Sequence, residues 1–268
     1  MPTIRRLLIT GAAGALGGVL RRHFASRYPA LRLSDLKPIG EQAAGEELVQ
    51  CDLADAAAVD RLLEGVDAVV HLGGQALEAD WPTVLRANIV GCINLWEAAR
   101  KAGTGRILVA SSNHAIGFYP RSQRIDDKAH PKPDSRYGLS KAFGEDLGLL
   151  YANKHGIACF AMRIGSCYPE PKDERMLSTW LSYPDFCRLV ETGLEADYVY
   201  EIVYGASAND RSWWDNANAH HLGYEPKDNA EAFAAKVQGT RSGDPLDERY
   251  QGGPFISPDF SGDPERIV

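Results

Sequence analysis

The chain has 268 residues, enough for one large α/β domain with a sizeable core, or for such a core and a small lobe. Hydrophobic residues make up 44% and charged residues 24%, which is ordinary globular composition. A net charge of −7 argues against a nucleic-acid-binding surface and against attraction to anionic membranes, so an anionic substrate would need a local basic group to hold it.

The five cysteines, Cys51, Cys92, Cys159, Cys167 and Cys187, are odd in number and lack CxxC spacing, which reads as reduced thiols in a cytoplasm. No N-terminal stretch has the basic-then-apolar pattern of a signal peptide, and no apolar run approaches membrane-spanning length. The expectation is a soluble cytoplasmic protein that binds no membrane.

In chain order, "IRRLLIT" (4–10) is a short β-rich run ending at glycine, followed by a helical pattern over 16–28. Between them Gly11, Gly14 and Gly17 form a GxxGxxG spacing. The first allows a tight turn, the second lets backbone approach a pyrophosphate, and the third packs helix on strand. The amides around Ala15 and Leu16, with the helix dipole, would then hold phosphates. "LRLSD" (31–35) is a second strand, and its last residue, Asp35, lies 24 residues after Gly11. A carboxylate there accepts hydrogen bonds from ribose hydroxyls and repels a 2′-phosphate, which points to NAD rather than NADP.

"EELVQCD" (46–52) is a third strand. Asp52 after it could reach an adenine amino group, while Asp55 suits the N-cap of the next helix, 56–65. "DAVVHLGG" (67–74) is a fourth strand whose Gly73 and Gly74 let backbone approach the cofactor. His71 within it reads as a satisfied core histidine. Leu53, Leu72 and, from the following helix (82–103), Asn88 complete this cofactor-facing set, with Ile164 later in the chain.

"RILVASS" (106–112), a helix over 135–156 and "IACFAMRIG" (157–165) follow. Strand–helix alternation with near-continuous apolar strands predicts a doubly wound parallel sheet covered on both faces. In such sheets ligands sit outside the strands' carboxyl ends. After 165 the pattern becomes irregular, with a helix in "YPDFCRLVETGLEA", a late strand in "DYVYEIVYGAS" and a last helix in "NAEAFAAKVQG". We divide the chain into a dinucleotide-binding core, 1–165, and a mainly small substrate-covering lobe, 166–268, whose late strand returns to the sheet. His220 and His221 read as loop surface, and no metal site is expected.

Tyr137 and Lys141 lie four residues apart and share a helix face. A phenol titrates at about 10 and is a poor base at neutral pH, but a nearby ammonium and a positive nicotinamide ring favour the phenolate. Lys141 can also bind ribose hydroxyls. Ser112, at a strand end, can hydrogen-bond a substrate oxygen beside Tyr137. The three together would take a proton from an alcohol while hydride leaves for NAD.

TGAAGALG, Asp35, CDLAD, HLGG, SSN and YGLSK, in that order over about 4–165, resemble the extended short-chain dehydrogenase/reductase superfamily and its Rossmann-type sheet. "ASSNHAIGFYP", "RIGSCYPEPKDERMLSTWLS", "WWDN", "LGYEPKDNAEAF" and "YQGGPF" extend the likeness to the uronate dehydrogenase family over nearly the whole chain. That resemblance implies oxidation of a cyclic hexuronic acid, such as D-glucuronate or D-galacturonate, at C1 to an aldarolactone. It implies Tyr137 as base with Lys141 beside it. It also implies Ser112, Asn113, His114 and Ser166 as sugar contacts, and Arg175 as the partner of the substrate carboxylate. A guanidinium fork matches a carboxylate at two points, which agrees with the last choice. Where the family pattern after "GG" is an aliphatic residue and then serine, this chain reads Gln75 and Ala76. Ala76 has no hydroxyl, and Gln75 would have to reach the sugar instead. The superfamily likeness also suggests a homo-oligomer paired through the helices near 82–103 and 135–156.

Two other readings use the same residues. A nucleotide-sugar epimerase, dehydratase or reductase would share Tyr137 and Lys141. The roughly 100 residues after Ser166, some returning to the sheet, favour a smaller substrate. A non-catalytic NAD-sensing module would keep the glycine loop but has no need of Ser112, Tyr137 and Lys141 together.

Overall fold

The computed structural model describes residues 3–268. Its centre is a seven-stranded sheet in the order β3–β2–β1–β4–β5–β6–β9, with every neighbouring pair parallel. The strands are β1 (Arg6–Thr10), β2 (Ala30–Asp35), β3 (Glu46–Gln50), β4 (Ala68–His71), β5 (Arg106–Ser112), β6 (Ala158–Ile164) and β9 (Tyr200–Gly205). Two two-residue strands, β7 (Ser166–Cys167) and β8 (Trp180–Leu181), form a separate ladder above the C-terminal edge. The chain order reverses between β1 and β4, and the glycine loop after β1 opens at that switch point.

Alternation along the strands builds two cores. Leu7, Ile9, Val70, Leu108, Phe160 and Met162 face one side, where α1 (Ala15–His23) and α7 (Tyr183–Glu195) cover them. Leu8, Val69, Ile107, Val109 and Cys159 face the other, against α2 (Ala56–Leu62), α4 (Gly91–Ala102) and α5 (Arg136–His155). A period of two sends successive side chains to opposite faces, so a strand buried on both sides is apolar throughout. Each fully buried Leu, Val or Phe contributes about 1.5–3 kcal/mol relative to exposure.

The helix expected over 82–103 is three pieces: α3 (Trp81–Val84), a π-helical segment Leu85–Val90, and α4. Asp55 caps α2, its Oδ1 accepting from Ala58 N–H at 3.1 Å. Ser135 caps α5, its Oγ accepting from Gly138 N–H at 3.0 Å. Beyond residue 165, α7 and β9 are integral to the sheet layers. The covering part contains α6 (Met176–Thr179), α8 (Ala217–His221), a 3₁₀ turn Ala230–Phe233 that leads into α9 (Ala234–Val237), and the tail from 250 onward. His220 and His221 form the last two residues of α8 rather than a loop, and His220 Nδ1 lies 2.7 Å from the Tyr224 carbonyl. All five cysteines are unpaired.

Candidate active site

The dinucleotide side is built from backbone. Gly11 follows β1 with φ +72°, and a Cβ there would lie 2.7 Å from the Leu72 carbonyl carbon. A Cβ at Gly17 would lie 2.3 Å from the Gly11 oxygen. Both positions therefore require glycine. Gly14 occupies the N-cap of α1 with no side-chain cap, and the first turn holds no acid. The amides of Ala15, Leu16 and Gly17 thus lack intrahelical acceptors at the positive end of the helix dipole, which suits a pyrophosphate. Gly73 N–H donates to Thr10 Oγ1 at 3.1 Å, fixing the second glycine turn beside the first. Leu53 packs beneath it, so a Cβ at Gly73 would meet Leu53 Cδ1 at 2.9 Å.

Asp35 ends β2 half-buried, and its carboxylate is pinned by Ala13 N–H at 3.0 Å and Lys37 N–H at 2.9 Å. Each oxygen keeps a lone pair for a ribose hydroxyl. These residues fit a dinucleotide with a free 2′-hydroxyl. Asp52 accepts from Ala54 N–H at 2.9 Å and pairs with exposed Arg86. The Ala54 amide, then the Arg86 guanidinium, hold its carboxyl below the usual range. Its two oxygens thus hold the Ala54 amide and Arg86, and each keeps a further lone pair. Asn88 is spent internally. Its Oδ1 accepts from Gln75 N–H at 2.7 Å, and its Nδ2 donates to the Gln75 carbonyl at 3.0 Å and to Ser140 Oγ at 2.8 Å. Its amide positions the glycine turn and α5 rather than offering itself to a ligand.

His71 is buried, with Nδ1 2.8 Å from Thr10 Oγ1, the satisfied core histidine that its strand position suggests. Burial, and then the Lys141 charge, push its pKa down to about 3, so it is neutral beside the glycine turn.

The α5 helix carries Tyr137 and Lys141 toward the same edge. Tyr137 is 8% exposed, and its hydroxyl has no hydrogen-bond partner among the described residues. Lys141 Nζ lies 5.4 Å from the Tyr137 ring centroid and donates to the Ala110 carbonyl at 2.8 Å. The helix start is clipped by Glu78, which accepts from Tyr137 N–H at 2.8 Å and from Arg136 at 2.6 Å. One turn beyond Lys141, Glu145 forms a two-point ion pair with Arg163 of β6, at 2.9 and 2.8 Å, and accepts from Ser111 Oγ at 2.5 Å. Both side chains are 1% exposed. Desolvation opposes the Arg163 charge, yet the Glu145 carboxylate outweighs it and raises the pKa. This pair fixes α5 against β5 and β6, whose ends carry Ser112 and Ile164.

The opposite wall is assembled from distant segments. Ser112 is buried, and its Oγ accepts from His114 N–H at 3.2 Å, leaving its own hydrogen for another acceptor. Asn113, in the amide orientation its neighbours select, donates to the Ile164 carbonyl at 3.2 Å and accepts from Arg175 Nη2 at 2.8 Å. Arg175 donates through Nε and Nη2 to the Gln251 carbonyl at 2.9 and 2.6 Å. Its Nη1 reaches Ser166 Oγ at 3.4 Å. Burial pushes the Arg175 pKa down to about 10, which still leaves a cation at neutral pH. His114 stacks on Phe255 at 3.7 Å between centroids and meets Tyr137 edge-on at 5.8 Å. The structure thus brings Ser112, Asn113, His114, Tyr137, Ser166 and Arg175 together. Gln75 turns back on its own loop, its Nε2 donating to the Leu77 carbonyl at 3.3 Å.

Residues 7–183 match the model of the NAD dependent epimerase/dehydratase family. A uronate dehydrogenase of Pseudomonas putida is 51% identical over 254 residues, spanning 93% of this chain and 95% of that protein. The chain belongs to the NAD dependent epimerase/dehydratase family. Within it the uronate dehydrogenases are close relatives in structure also. A mutant uronate dehydrogenase from Agrobacterium tumefaciens complexed with NAD superposes with a TM-score of 0.91 at 48% identity, covering 95% of this chain and 97% of that one. A glucuronic acid dehydrogenase from Chromohalobacter salexigens gives 0.91 at 47%, covering 98% and 100%.

Against the sequence reading of this family member, four supporting groups are new: Glu78, Asp134, Gln251 and the Glu145–Arg163 pair. Asp134 precedes the capping serine of α5 and resembles a redundant cap. Glu145 and Arg163 look like ordinary charges on a helix and a strand. Only burial, which local sequence does not display, distinguishes them. Gln251 lies in the "YQGGPF" tail that the family resemblance had marked, but its contact with Arg175 spans 76 residues.

Proposed function

We propose that this protein oxidises a hexuronic acid, D-glucuronate or D-galacturonate in cyclic form, at C1 to an aldarolactone, with NAD as the oxidant. One observation carries the reading. Arg175, a guanidinium held by the Gln251 carbonyl, is linked to Tyr137 through the tail: Phe255, four residues after Gln251, stacks on His114, which meets the Tyr137 ring edge-on. A sugar with a carboxylate at one end and an oxidisable C1 at the other matches that pairing.

NAD, when bound, supplies the acceptor for the C1 hydride. Gly11, Gly14, Ala15, Leu16 and Gly17 would hold its pyrophosphate, Asp35 its adenosine ribose, and Leu53, Leu72, Gly73, Gly74 and Ile164 would line its path. Arg175 and Ser166 hold the substrate carboxylate through the Nη1 edge and the hydroxyl, and Asn113 keeps the guanidinium plane turned that way. The phenolic oxygen of Tyr137 takes the proton of the C1 hydroxyl. Ser112 hydrogen-bonds the same oxygen and holds it near the phenol. The Lys141 ammonium stabilises negative charge on the phenolic oxygen of Tyr137, whose side chain is buried. Tail residues Gln251–Phe255 close against Arg175 and His114, which supports a small sugar acid rather than a nucleotide sugar.

The test is NAD reduction followed by near-ultraviolet absorbance with free uronic acids, neutral aldoses and UDP-sugars. Turnover with uronic acids alone supports the reading, and turnover with UDP-sugars alone replaces it by the nucleotide-sugar one. NAD binding without turnover on any sugar acid would make the protein a sensing module.

We also propose a homo-oligomer formed through α4 and α5. Ile93, Leu139, Leu149 and Leu150 on these helices are exposed and apolar, which supports that face. Sedimentation of the native chain tests it. A reducing, cytoplasmic setting accords with the five unpaired thiols. No described helix is long and apolar enough to cross a membrane.

A further inference from the structure

Asp134 is a carboxylate with a fully buried side chain, one residue before the cap of α5. Its Oδ2 lies 2.7 Å from His114 Nδ1, and its Oδ1 accepts from Ser135 Oγ at 2.7 Å. Its own N–H donates to the His114 carbonyl at 3.3 Å, so the two residues are joined twice. Three glycines clear space for it. A Cβ at Gly117 would lie 1.9 Å from Oδ2, one at Gly252 2.1 Å from Oδ2, and one at Gly138 3.1 Å from Oδ1. A buried carboxylate so closely fitted, with one histidine as its outward partner, is costly unless that contact is kept.

The imidazole is fixed in every direction but one. Phe255 lies flat against one face at 3.7 Å and 26°, and Tyr137 stands at its edge. Nδ1 is taken by Asp134, and Nε2 has no hydrogen-bond partner among the described residues. The bond made at one ring nitrogen sets the state of the other. A carboxylate oxygen accepts from the ring nitrogen it faces, so Nδ1 is the nitrogen that carries the hydrogen and Nε2 is the one turned toward the site.

We propose that Asp134 is a positioning residue that fixes His114 as an Nε2 acceptor for the substrate hydroxyl adjacent to the reacting carbon. This rests on the proposed uronate reading for its substrate, but the state of the ring does not. The His114 and Tyr137 rings are in edge-on contact, 5.8 Å between centroids, and the proposal places the groups they bind on neighbouring carbons. An acceptor there demands a hydroxyl and discriminates against a sugar without one, because the lone pair is then desolvated and unmatched.

The test combines NMR of nitrogen-labelled histidine in the full chain with turnover on a uronic acid and its 2-deoxy analogue. The His114 signals are assigned by their loss in His114→Gln. The expected wild-type ring has Nδ1 protonated and Nε2 bare. Asp134→Asn, whose amide can donate to Nδ1, should shift the hydrogen toward Nε2. It should lower kcat/KM for the uronic acid about 10–100-fold, the size of other supporting-contact losses. The 2-deoxy analogue should lose far less, and NAD affinity should hold. Nε2 protonated in the wild type, alone or with Nδ1, overturns the proposal. So does equal loss on both substrates, which would mark Asp134 as merely structural. If Asp134→Asn does not fold, the wild-type spectrum alone still decides the ring's state. If that spectrum is as expected but no uronic acid is oxidised, the substrate reading fails and the acceptor histidine stands.

Discussion

The two walls of the site are made differently. The wall proposed for the dinucleotide is main chain: a glycine turn at φ +72°, open amides at one helix end, and a carboxylate 24 residues downstream. The wall proposed for the sugar is side chain, with Asn113, Arg175 and Gln251 meeting from segments up to 138 residues apart (251 − 113). A backbone cradle tolerates one residue type at its tight points and so marks itself in sequence. A side-chain wall depends on contacts formed only after folding.

The sharpest way to separate the walls is Tyr137→Phe. Loss of the phenolic oxygen should lower kcat about 10²–10⁴-fold, the range for a positioned acid–base group. Because the ring and its packing on His114 remain, NAD affinity measured by fluorescence titration should stay near wild type. A large loss of NAD binding would mean that the two walls are not independent.

Next in size is Arg163→Met. It leaves Glu145 charged and buried without its partner, at a cost of about 3–5 kcal/mol. Chemical denaturation should show that loss, and Arg163→Met with Glu145→Leu should recover most of it. The pair joins β5, α5 and β6, so it supports the sugar wall more than the glycine loop. A full loss of stability in the double variant as well would show that shape, rather than charge, is what the pair contributes.

The same contrast explains what was legible. The six strands from β1 to β6 follow from short, near-continuous apolar runs, and the α1, α2 and α5 helices from the longer helical patterns between them, with glycine, aspartate and serine punctuation at their ends. Tyr137, Lys141 and Ser112 are marked by spacing and strand position, and the structure gathers them. The π-helical turn at Leu85–Val90 is not visible in a continuous helical pattern, and neither are the bonds from its Asn88 to Gln75 and Ser140, which form only after folding. Asp134 and Gln251 lack local signatures, since each acts through a partner on another segment. Gln75 carries no such mark either. Its chemistry suits a sugar, and its Nε2 donates to the Leu77 carbonyl of its own loop.

Arg175→Ala probes the long-range wall directly. A charged hydrogen bond is worth about 1.5–3 kcal/mol, so KM for a uronate should rise roughly 10–100-fold, with KM for a neutral aldose little changed. Arg175→Lys should recover part of the loss, as a point charge without the planar fork. Equal effects on both sugars would remove Arg175 from the carboxylate role and leave it as a strut between Asn113 and the tail.

Asp35→Ala makes the smallest change and tests the backbone wall at a side-chain element. The carboxylate has two tasks here: it accepts Ala13 N–H, which steadies the glycine loop, and it presents lone pairs where a ribose would sit. Loss of the first weakens NAD and NADP alike. Loss of the second weakens NAD and removes the repulsion that excludes a 2′-phosphate. The NAD/NADP ratio of kcat/KM therefore isolates the ribose role from the loop-steadying one. We expect a fall of about tenfold in that ratio, close to 1.4 kcal/mol. A ratio unchanged while both cofactors weaken would assign Asp35 to the loop alone, and cofactor choice would then lie with the backbone around it.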